Sequence, residues 1–233
     1  MKYMGSKARI AKYILPIILK DRKPNQYYVE PFVGGANMID KVDGPRIGAD
    51  VNKYLISLIK KLQDGWLPNQ KITENEYLEI KQNKENFSEH LVGYAGFQLS
   101  YGAIWFGCYR RDKIGLRDYS LEAYKNVKKQ APKLKGIDFK CCSYNNLEIP
   151  KESIIYCDPP YENTASYKAV SQFNHDSFWQ WCRDKTINGH QVFISEYNAP
   201  DDFECIWQME INSSLAKDTG SKKATEKLFT YKI

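Results

Sequence analysis

The alternation of short apolar runs with helix-periodic segments most restricts what this chain can fold into. The apolar runs that predict strands lie at residues 27–30, 46–49, 154–157, 191–195, 204–211 and 227–231. Segments with apolar residues at helical spacing lie at residues 8–20, 52–63 and 174–188. Strands that alternate with helices form parallel sheets, and the last two runs are predicted to close the sheet as a pair. The pattern therefore predicts an α/β fold with a mostly parallel sheet and one antiparallel closing strand.

Residues 60–136 interrupt this alternation. The segment is polar and helix-prone, and its second half is basic. We interpret it as an insertion that divides the sheet domain into residues 1–59 and 137–233. Four residues of the insertion fall at helical spacing and predict a packed aromatic stripe rather than a base-stacking surface: Tyr94, Gln98, Tyr101 and Trp105.

The net charge of +6 comes from 34 Lys and Arg against 28 Asp and Glu. All of the excess falls within residues 105–140, which hold ten basic and four acidic residues, whereas the rest of the chain holds 24 of each. A basic segment on a neutral body predicts a docking surface for an anionic partner. Composition alone does not distinguish a nucleic acid from a membrane surface.

The overall composition, 42% hydrophobic and 27% charged, is typical of a soluble globular protein and argues against a mainly disordered chain. No stretch approaches the roughly 20 apolar residues that span a bilayer, and the N-terminus lacks the apolar core of a signal peptide. The six cysteines form no Cys-x-x-Cys pair, and only three histidines accompany them. We therefore expect a cytoplasmic protein with reduced thiols, no metal and no membrane association.

The first candidate site follows the first strand run, at Glu30 and the glycine turn Pro31-Phe32-Val33-Gly34-Gly35. Adjacent glycines let the backbone turn tightly and approach a ligand closely. Asp50 ends the next strand run, where a carboxylate can accept hydrogen bonds from ribose hydroxyls. The loop has neither the dinucleotide pattern Gly-x-Gly-x-x-Gly nor the Lys-Ser/Thr of a phosphate loop. These features predict a nucleoside site with little phosphate, although a glycine turn alone is equally consistent with a structural role.

The second candidate site is Asp158-Pro159-Pro160-Tyr161, directly after an apolar strand run. Consecutive prolines fix φ and supply no backbone N–H, so they hold the Asp158 carboxylate and the Pro159 carbonyl as rigid acceptors. Two such acceptors suit an exocyclic amino group, which has two N–H donors. Tyr161 adds a flat face for stacking on a base, worth roughly 1–3 kcal/mol. The alternative is a rigid turn with a solvent-exposed aspartate.

Together these motifs resemble the Dam-like (D12 class) DNA adenine methyltransferases, which use S-adenosylmethionine. The resemblance rests on four segments in the family's order: Tyr3-Met4-Gly5-Ser6-Lys7, Pro31-Phe32-Val33-Gly34-Gly35, Gly48-Ala49-Asp50-Val51-Asn52 and Tyr156-Cys157-Asp158-Pro159-Pro160-Tyr161. It implies a Rossmann-like methyltransferase sheet, with residues 60–136 as the inserted target-recognition domain. The residues that it implies for cofactor binding are Tyr3, Lys7, Pro31, Phe32, Gly34, Asp50 and Asp158. The catalytic residues that it implies are Asp158, Pro159, Pro160 and Tyr161.

The basic segment is similar to the family's DNA-contacting hairpin, Arg-x-Asn-x-x-Gly, except that Asp112 stands where asparagine is usual. This departure concerns the DNA sequence that is recognised, not the reaction. The resemblance implies phosphate or base contacts by Arg110, Arg111, Lys113 and Arg117, and the alternative is a solvated basic face. The later lysines are expected to form a solvated helix surface: Lys125, Lys128, Lys129, Lys133 and Lys135.

The resemblance implies methylation of the 6-amino group of an adenine that is flipped out of double-stranded DNA. No covalent intermediate is required, so Cys157 is expected to be a buried strand residue. Two alternatives stay open: a catalytically silent module that binds DNA or cofactor, and a cytosine-N4 methyltransferase, whose loop more often begins with serine. RNA adenine methylation fits this loop less well. We expect a monomer of bacterial, phage or mobile-element origin, and a restriction endonuclease that acts separately is the counterpart such an enzyme can have.

Overall fold

The computed structural model describes residues 1–112, 114–161, 173–213 and 222–232. Its strands are β1 (Tyr28–Glu30), β2 (Arg46–Asp50), β3 (Ile137–Cys141), β4 (Ile154–Cys157), β5 (Gln191–Glu196), β6 (Phe203–Ser213) and β7 (Lys222–Tyr231). They form one seven-stranded sheet in the order β3-β2-β1-β4-β5-β7-β6. Strand β7 is antiparallel to both of its neighbours, and the other adjacent pairs are parallel. The predicted mostly parallel sheet with one antiparallel closing strand is confirmed.

The α-helices of the described ranges are α1 (Ala11–Ile18), α2 (Lys53–Gln63), α3 (Glu74–Gln82), α4 (Glu89–Gly93), α5 (Tyr119–Gln130) and α6 (His175–Ile187). Side-chain caps explain where α2 and α6 begin. The Asn52 side chain caps α2 by accepting a hydrogen bond from the Leu55 backbone N–H at 3.1 Å, and Asn174 caps α6 in the same way. These caps place the start of α2 directly after the end of β2.

Side chains of the central strands alternate between two hydrophobic cores. On one face, Tyr28 and Tyr156 pack with α1, α2 and the insertion. On the other face, Val29, Ile155 and Cys157 pack with α6. A parallel strand that is covered on both faces reads as a continuous apolar run, which is why these strands were visible in the sequence. Cys157 is fully buried, as predicted, and burial raises the pKa of its thiol well above the usual range.

The insertion shares the core on the α1 and α2 face of the sheet, where Ile80, Tyr94 and Val127 join Leu58 of α2. The predicted aromatic stripe is only partly formed. Residues Tyr94–Gln98 make a buried π-helical turn, but the chain then turns at Gly102, whose φ is +64°. Tyr101 is consequently 60% exposed.

Strand β3 was not predicted. Its residues Ile137 and Phe139 face the core, whereas Asp138 and Lys140 are exposed. Among the strands of the described residues it pairs with β2 alone, at the edge of the sheet. Charged residues are therefore tolerated on its open face and dilute the apolar signal. The five lysines predicted to form a solvated surface, from Lys125 to Lys135, are all exposed.

No helix in the described parts of the chain combines the length and apolar character needed to cross a membrane. Among the same residues, no group of three or more His, Cys, Asp or Glu side chains is placed to hold a metal ion. Each of the six cysteines is a free thiol.

Candidate active site

The carboxyl ends of β1, β2 and β4 meet at one edge of the sheet. β1 pairs in parallel with both β2 and β4, so the loops that leave these strands lie side by side. They carry the glycine turn after Glu30, the Asp50 carboxylate and the motif that begins at Asp158. In open α/β sheets this edge is where ligands bind.

A buried ion cluster lies at this edge. The Lys7 ammonium, whose side chain is 6% exposed, lies 2.9 Å from Asp158 Oδ1 and 3.6 Å from Glu226 Oε2 on β7. It also donates a hydrogen bond to the Gly5 carbonyl at 3.2 Å. One buried cation thus faces two carboxylates from different parts of the chain.

The pKa shifts follow from burial and from these charges. Burial by itself lowers the pKa of Lys7, but the charges of Asp158 and Glu226 outweigh it and leave that pKa raised. Burial raises the pKa of Asp158, and Lys7 opposes that rise. Two carboxylates act on Lys7, so the rise in the Lys7 pKa determines the charge state of the pair. Lys7 is therefore an ammonium at neutral pH and presents a fixed positive charge to Asp158.

The Tyr161 side chain is held by the same cluster. Its hydroxyl donates a hydrogen bond to Glu226 Oε2 at 3.0 Å, and the Lys7 ammonium lies 4.5 Å from its ring centroid. The Tyr197 ring meets it edge-on, with centroids 4.7 Å apart. The intervening Pro159 is buried and Pro160 is half-buried, so the predicted catalytic residues form one continuous group.

The glycine turn and Asp50 are joined by hydrogen bonds. Asp50 Oδ2 accepts from the Gly34 backbone N–H at 3.3 Å, and Asp50 Oδ1 accepts from the Asn52 backbone N–H at 2.9 Å. Gly34 has a φ of +47°, and a Cβ there would lie 2.8 Å from Tyr3 Cε1. Only glycine therefore lets the Tyr3 ring pack on this turn. Burial raises the pKa of the Asp50 carboxyl.

Phe32 and Pro31 have different surroundings. Pro31 is buried and Phe32 is half-buried. The Phe32 ring lies 5.3 Å from Tyr144 and 5.6 Å from Phe178 of α6, measured between centroids. Beside Asp50, a shallow groove of about 260 Å³ is lined by Val51, Asn52, Lys53, Tyr54 and Trp105.

The N-terminal segment links the insertion to this edge of the sheet. The backbone of Lys2 exchanges two hydrogen bonds with the Gln98 side chain, each 2.8 Å long. Its ammonium pairs with Glu122 of α5. Five residues later in the chain, Lys7 reaches Asp158. A single short segment therefore contacts the insertion, the glycine turn and the second motif.

The predicted DNA-contacting arginines lie in the insertion and pair with acidic side chains. Arg111 binds Glu74, and Arg117 Nη2 lies 2.7 Å from Glu122 Oε2. The Arg110 guanidinium lies 3.8 Å from the centroid of the Tyr119 ring. Arg111 and Arg117 are 66% and 58% exposed, and Arg110 is 20% exposed. The fourth predicted contact, Lys113, lies outside the described residues.

Asp112 shapes the turn between these arginines. Its carboxylate accepts hydrogen bonds from the backbone N–H groups of Ile114 at 3.1 Å and Arg117 at 2.7 Å. The turn leaves Ile114 and Leu116 79% and 82% exposed. Asp112, where the similar family has asparagine, thus serves as a backbone acceptor in this turn.

Sequence reasoning missed two residues of the site, Glu226 and Tyr197. Glu226 is 6% exposed and lies two positions before the buried Leu228 on the same face of β7. An acidic residue at an inward position of a strand is a usable signal, because such residues are rarely buried without a partner. The topology that brings β7 next to β5 is what supplies that partner.

A family model and a known DNA adenine methylase both match this chain. A family model described as D12 class N6 adenine-specific DNA methyltransferase matches residues 3–100 and 105–200. The retron Ec67 DNA adenine methylase of Escherichia coli is 25% identical over 220 residues, which cover 84% of this chain and 75% of that protein.

Solved structures show more distant likenesses. The tRNA (m1A58) methyltransferase TrmI of Aquifex aeolicus matches with a TM-score of 0.41 and 9% identity over 96% of this chain and 69% of that one. A Listeria monocytogenes protein described as a class I S-adenosylmethionine-dependent methyltransferase matches with a TM-score of 0.40 and 10% identity, over 98% of this chain and 60% of that one.

Proposed function

The chain belongs to the D12 class of N6 adenine-specific DNA methyltransferases, so it methylates adenine in DNA, and we propose how its residues divide that reaction. The observation that carries the proposal is the placement of Asp158 at the carboxyl end of β4, 2.9 Å from a buried lysine. A carboxylate that is fixed in this way is a strong acceptor at a defined position.

The Asp158 carboxylate and the Pro159 carbonyl each accept one hydrogen from the 6-amino group of adenine. These contacts hold the amino nitrogen in place and stabilise the positive charge that develops on it during methylation. The two prolines keep both acceptors rigid. Tyr161 stacks on the adenine, which must first leave the duplex at a cost of a few kcal/mol.

We propose S-adenosylmethionine as the methyl donor, because the residues at this edge suit its parts. The Asp50 carboxylate suits ribose hydroxyls, and the adjoining groove of about 260 Å³ offers aromatic surface to a purine. The cluster of Asp158 and Glu226 with Lys7 holds two carboxylates against one ammonium, and this excess of negative charge suits a cationic centre. When bound, this cofactor supplies an electrophilic methyl group. The residues proposed to hold it are Tyr3, Lys7, Pro31, Phe32, Gly34, Asp50 and Asp158.

A transfer assay tests this function and separates it from its alternatives. DNA is incubated with the protein and methyl-labelled cofactor and is then digested to nucleosides. We expect label in 6-methyladenine. Label in N4-methylcytosine would support the cytosine alternative. Intact DNA binding with no transfer would support the silent module.

We propose that residues 60–136 form the target-recognition domain and that its basic turn contacts double-stranded DNA. Arg111 and Arg117 are exposed although each pairs with a glutamate. Exposed ion pairs contribute little to stability, so phosphates can replace the glutamates at small cost. Arg110 and Lys113 belong to the same proposed surface.

If Arg111 and Arg117 contact phosphates, DNA affinity should fall steeply with salt. Each phosphate contact contributes a slope of about −0.9 to the plot of log affinity against log salt concentration. Arg111→Ala and Arg117→Ala should therefore each make the slope shallower by about 0.9. Fluorescence anisotropy over a salt series measures this slope. Lys128→Ala, an exposed lysine of α5, is the matched control, and arginine variants with its slope would exclude this docking surface.

A further inference from the structure

We propose that Glu226 is a positioning residue for methyl transfer, holding the Lys7 ammonium and the Tyr161 hydroxyl and, through them, the Asp158 carboxylate and the Tyr161 ring. The inference rests on the roles proposed above for Asp158 and Tyr161. Glu226 lies on β7, far along the chain from the N-terminal motif that contains Lys7 and from the motif Asp158-Pro159-Pro160-Tyr161. Neither motif includes it.

The contacts of Glu226 connect it to both motifs. Its Oε2 atom accepts the Tyr161 hydroxyl hydrogen bond at 3.0 Å and lies 3.6 Å from Lys7 Nζ. Lys7 in turn lies 2.9 Å from Asp158 Oδ1. The side chain of Glu226 is 8% exposed, so solvent screens these contacts little.

A single ion pair between Lys7 and Asp158 would already balance both charges. The burial of a second carboxylate, Glu226, beside them therefore calls for a separate explanation. Burying an additional charge is costly unless it makes good contacts. Glu226 makes one such contact to a hydroxyl and one to the ammonium. These two partners, the Tyr161 hydroxyl and the Lys7 ammonium, belong to or hold the residues proposed to contact the adenine. A misplacement of about 1 Å among such residues can lower a rate by about 100-fold.

Glu226 also acts on the charge state of Asp158. Burial is the main reason that the pKa of Asp158 is raised, Lys7 opposes this rise, and Glu226 adds to it. Removing the Glu226 charge should therefore lower the pKa of Asp158. The titratable groups that interact electrostatically with Asp158 are Lys7, Glu30, Tyr156, Cys157, Tyr161, Tyr197 and Glu226.

The test is Glu226→Gln, which keeps the shape and a hydrogen-bond acceptor but removes the charge. We expect kcat to fall about 10-fold or more, with the KM for DNA and for cofactor changed less than about threefold. We also expect the acid limb of the pH profile of kcat/KM to move to lower pH, because this limb reports ionisation in the free enzyme. Glu204→Gln, an exposed glutamate of β6, is the control and should change neither.

An unchanged kcat with an unmoved acid limb would overturn the proposal. A kcat that falls only as far as the fraction of folded protein falls, with an unmoved acid limb, would also overturn it, by assigning Glu226 to stability alone. If Glu226→Gln does not fold, Glu226→Asp decides, since it keeps the charge but draws the carboxylate back from the Tyr161 hydroxyl and the Lys7 ammonium. A wild-type kcat in that variant would overturn the proposal, and a reduced kcat would support it. Failure of the proposed function itself would appear differently, as absence of adenine methylation by the wild type.

Discussion

Replacing Asp158 with alanine is expected to lower methyl transfer to adenine by about 10²–10³-fold or more, in the range seen when a positioned transition-state contact is removed. The amino group would lose the acceptor that orients it and that stabilises its developing charge. The fold should survive, because Lys7 keeps Glu226 as a buried partner at 3.6 Å. Single-turnover transfer of labelled methyl groups measures the rate, and circular dichroism checks the fold.

Asp138→Ala provides the matched control for this variant. Asp138 also lies on the sheet, but its side chain is 54% exposed and pairs with Lys140. It should transfer methyl groups at the wild-type rate. DNA affinity should be unchanged in Asp158→Ala, since the proposed phosphate contacts lie in the insertion. Normal turnover by Asp158→Ala would exclude its proposed role.

The central sheet could be predicted because its strands are buried on both faces. β1 and β4 read as continuous apolar runs, and α2 shows helical spacing with Asn52 as its cap. The edge strand β3 could not be recognised, because its alternating charged residues give a weak pattern over five positions. The region around Tyr101 was also misleading: its side chains keep helical spacing while Gly102 breaks the helix with a φ of +64°.

The site was partly predictable for a related reason. Asp50 and Asp158 directly follow apolar strand runs, so their place at the sheet edge follows from the sequence alone. The proximity of Lys7 to Asp158 could be predicted only from the family resemblance, because no local sequence feature connects the N-terminal segment to β4. The place of Glu226 in the site could be predicted only from the strand order, because the position of β7 between β5 and β6 is what brings Glu226 to Lys7.

The second large effect is expected from Lys7→Met, which removes the positive charge that faces Asp158 and Glu226. Asp158 and Glu226 would then remain buried without it, with side chains 23% and 8% exposed. Removing one partner of a buried ion pair typically lowers the free energy of unfolding by about 3–5 kcal/mol. Methyl transfer should be lost as well. Chemical denaturation at neutral pH measures the stability, and Lys12→Met, an exposed lysine of α1, should change it little.

The loss of stability in Lys7→Met should depend on pH with a defined sign. Burial raises the pKa of Asp158, and the variant lacks the lysine that opposes this rise. A carboxyl whose pKa is higher in the folded state favours folding when it is protonated, and this advantage is lost as pH rises through that pKa. The deficit relative to wild type should therefore be small near pH 4, about the ordinary pKa of a carboxyl, and should grow toward neutral pH. Adding Glu226→Gln should recover part of it at neutral pH, because one buried negative charge is removed. A deficit that is equal at both pH values would mean that Lys7 stabilises the fold by packing rather than by its charge.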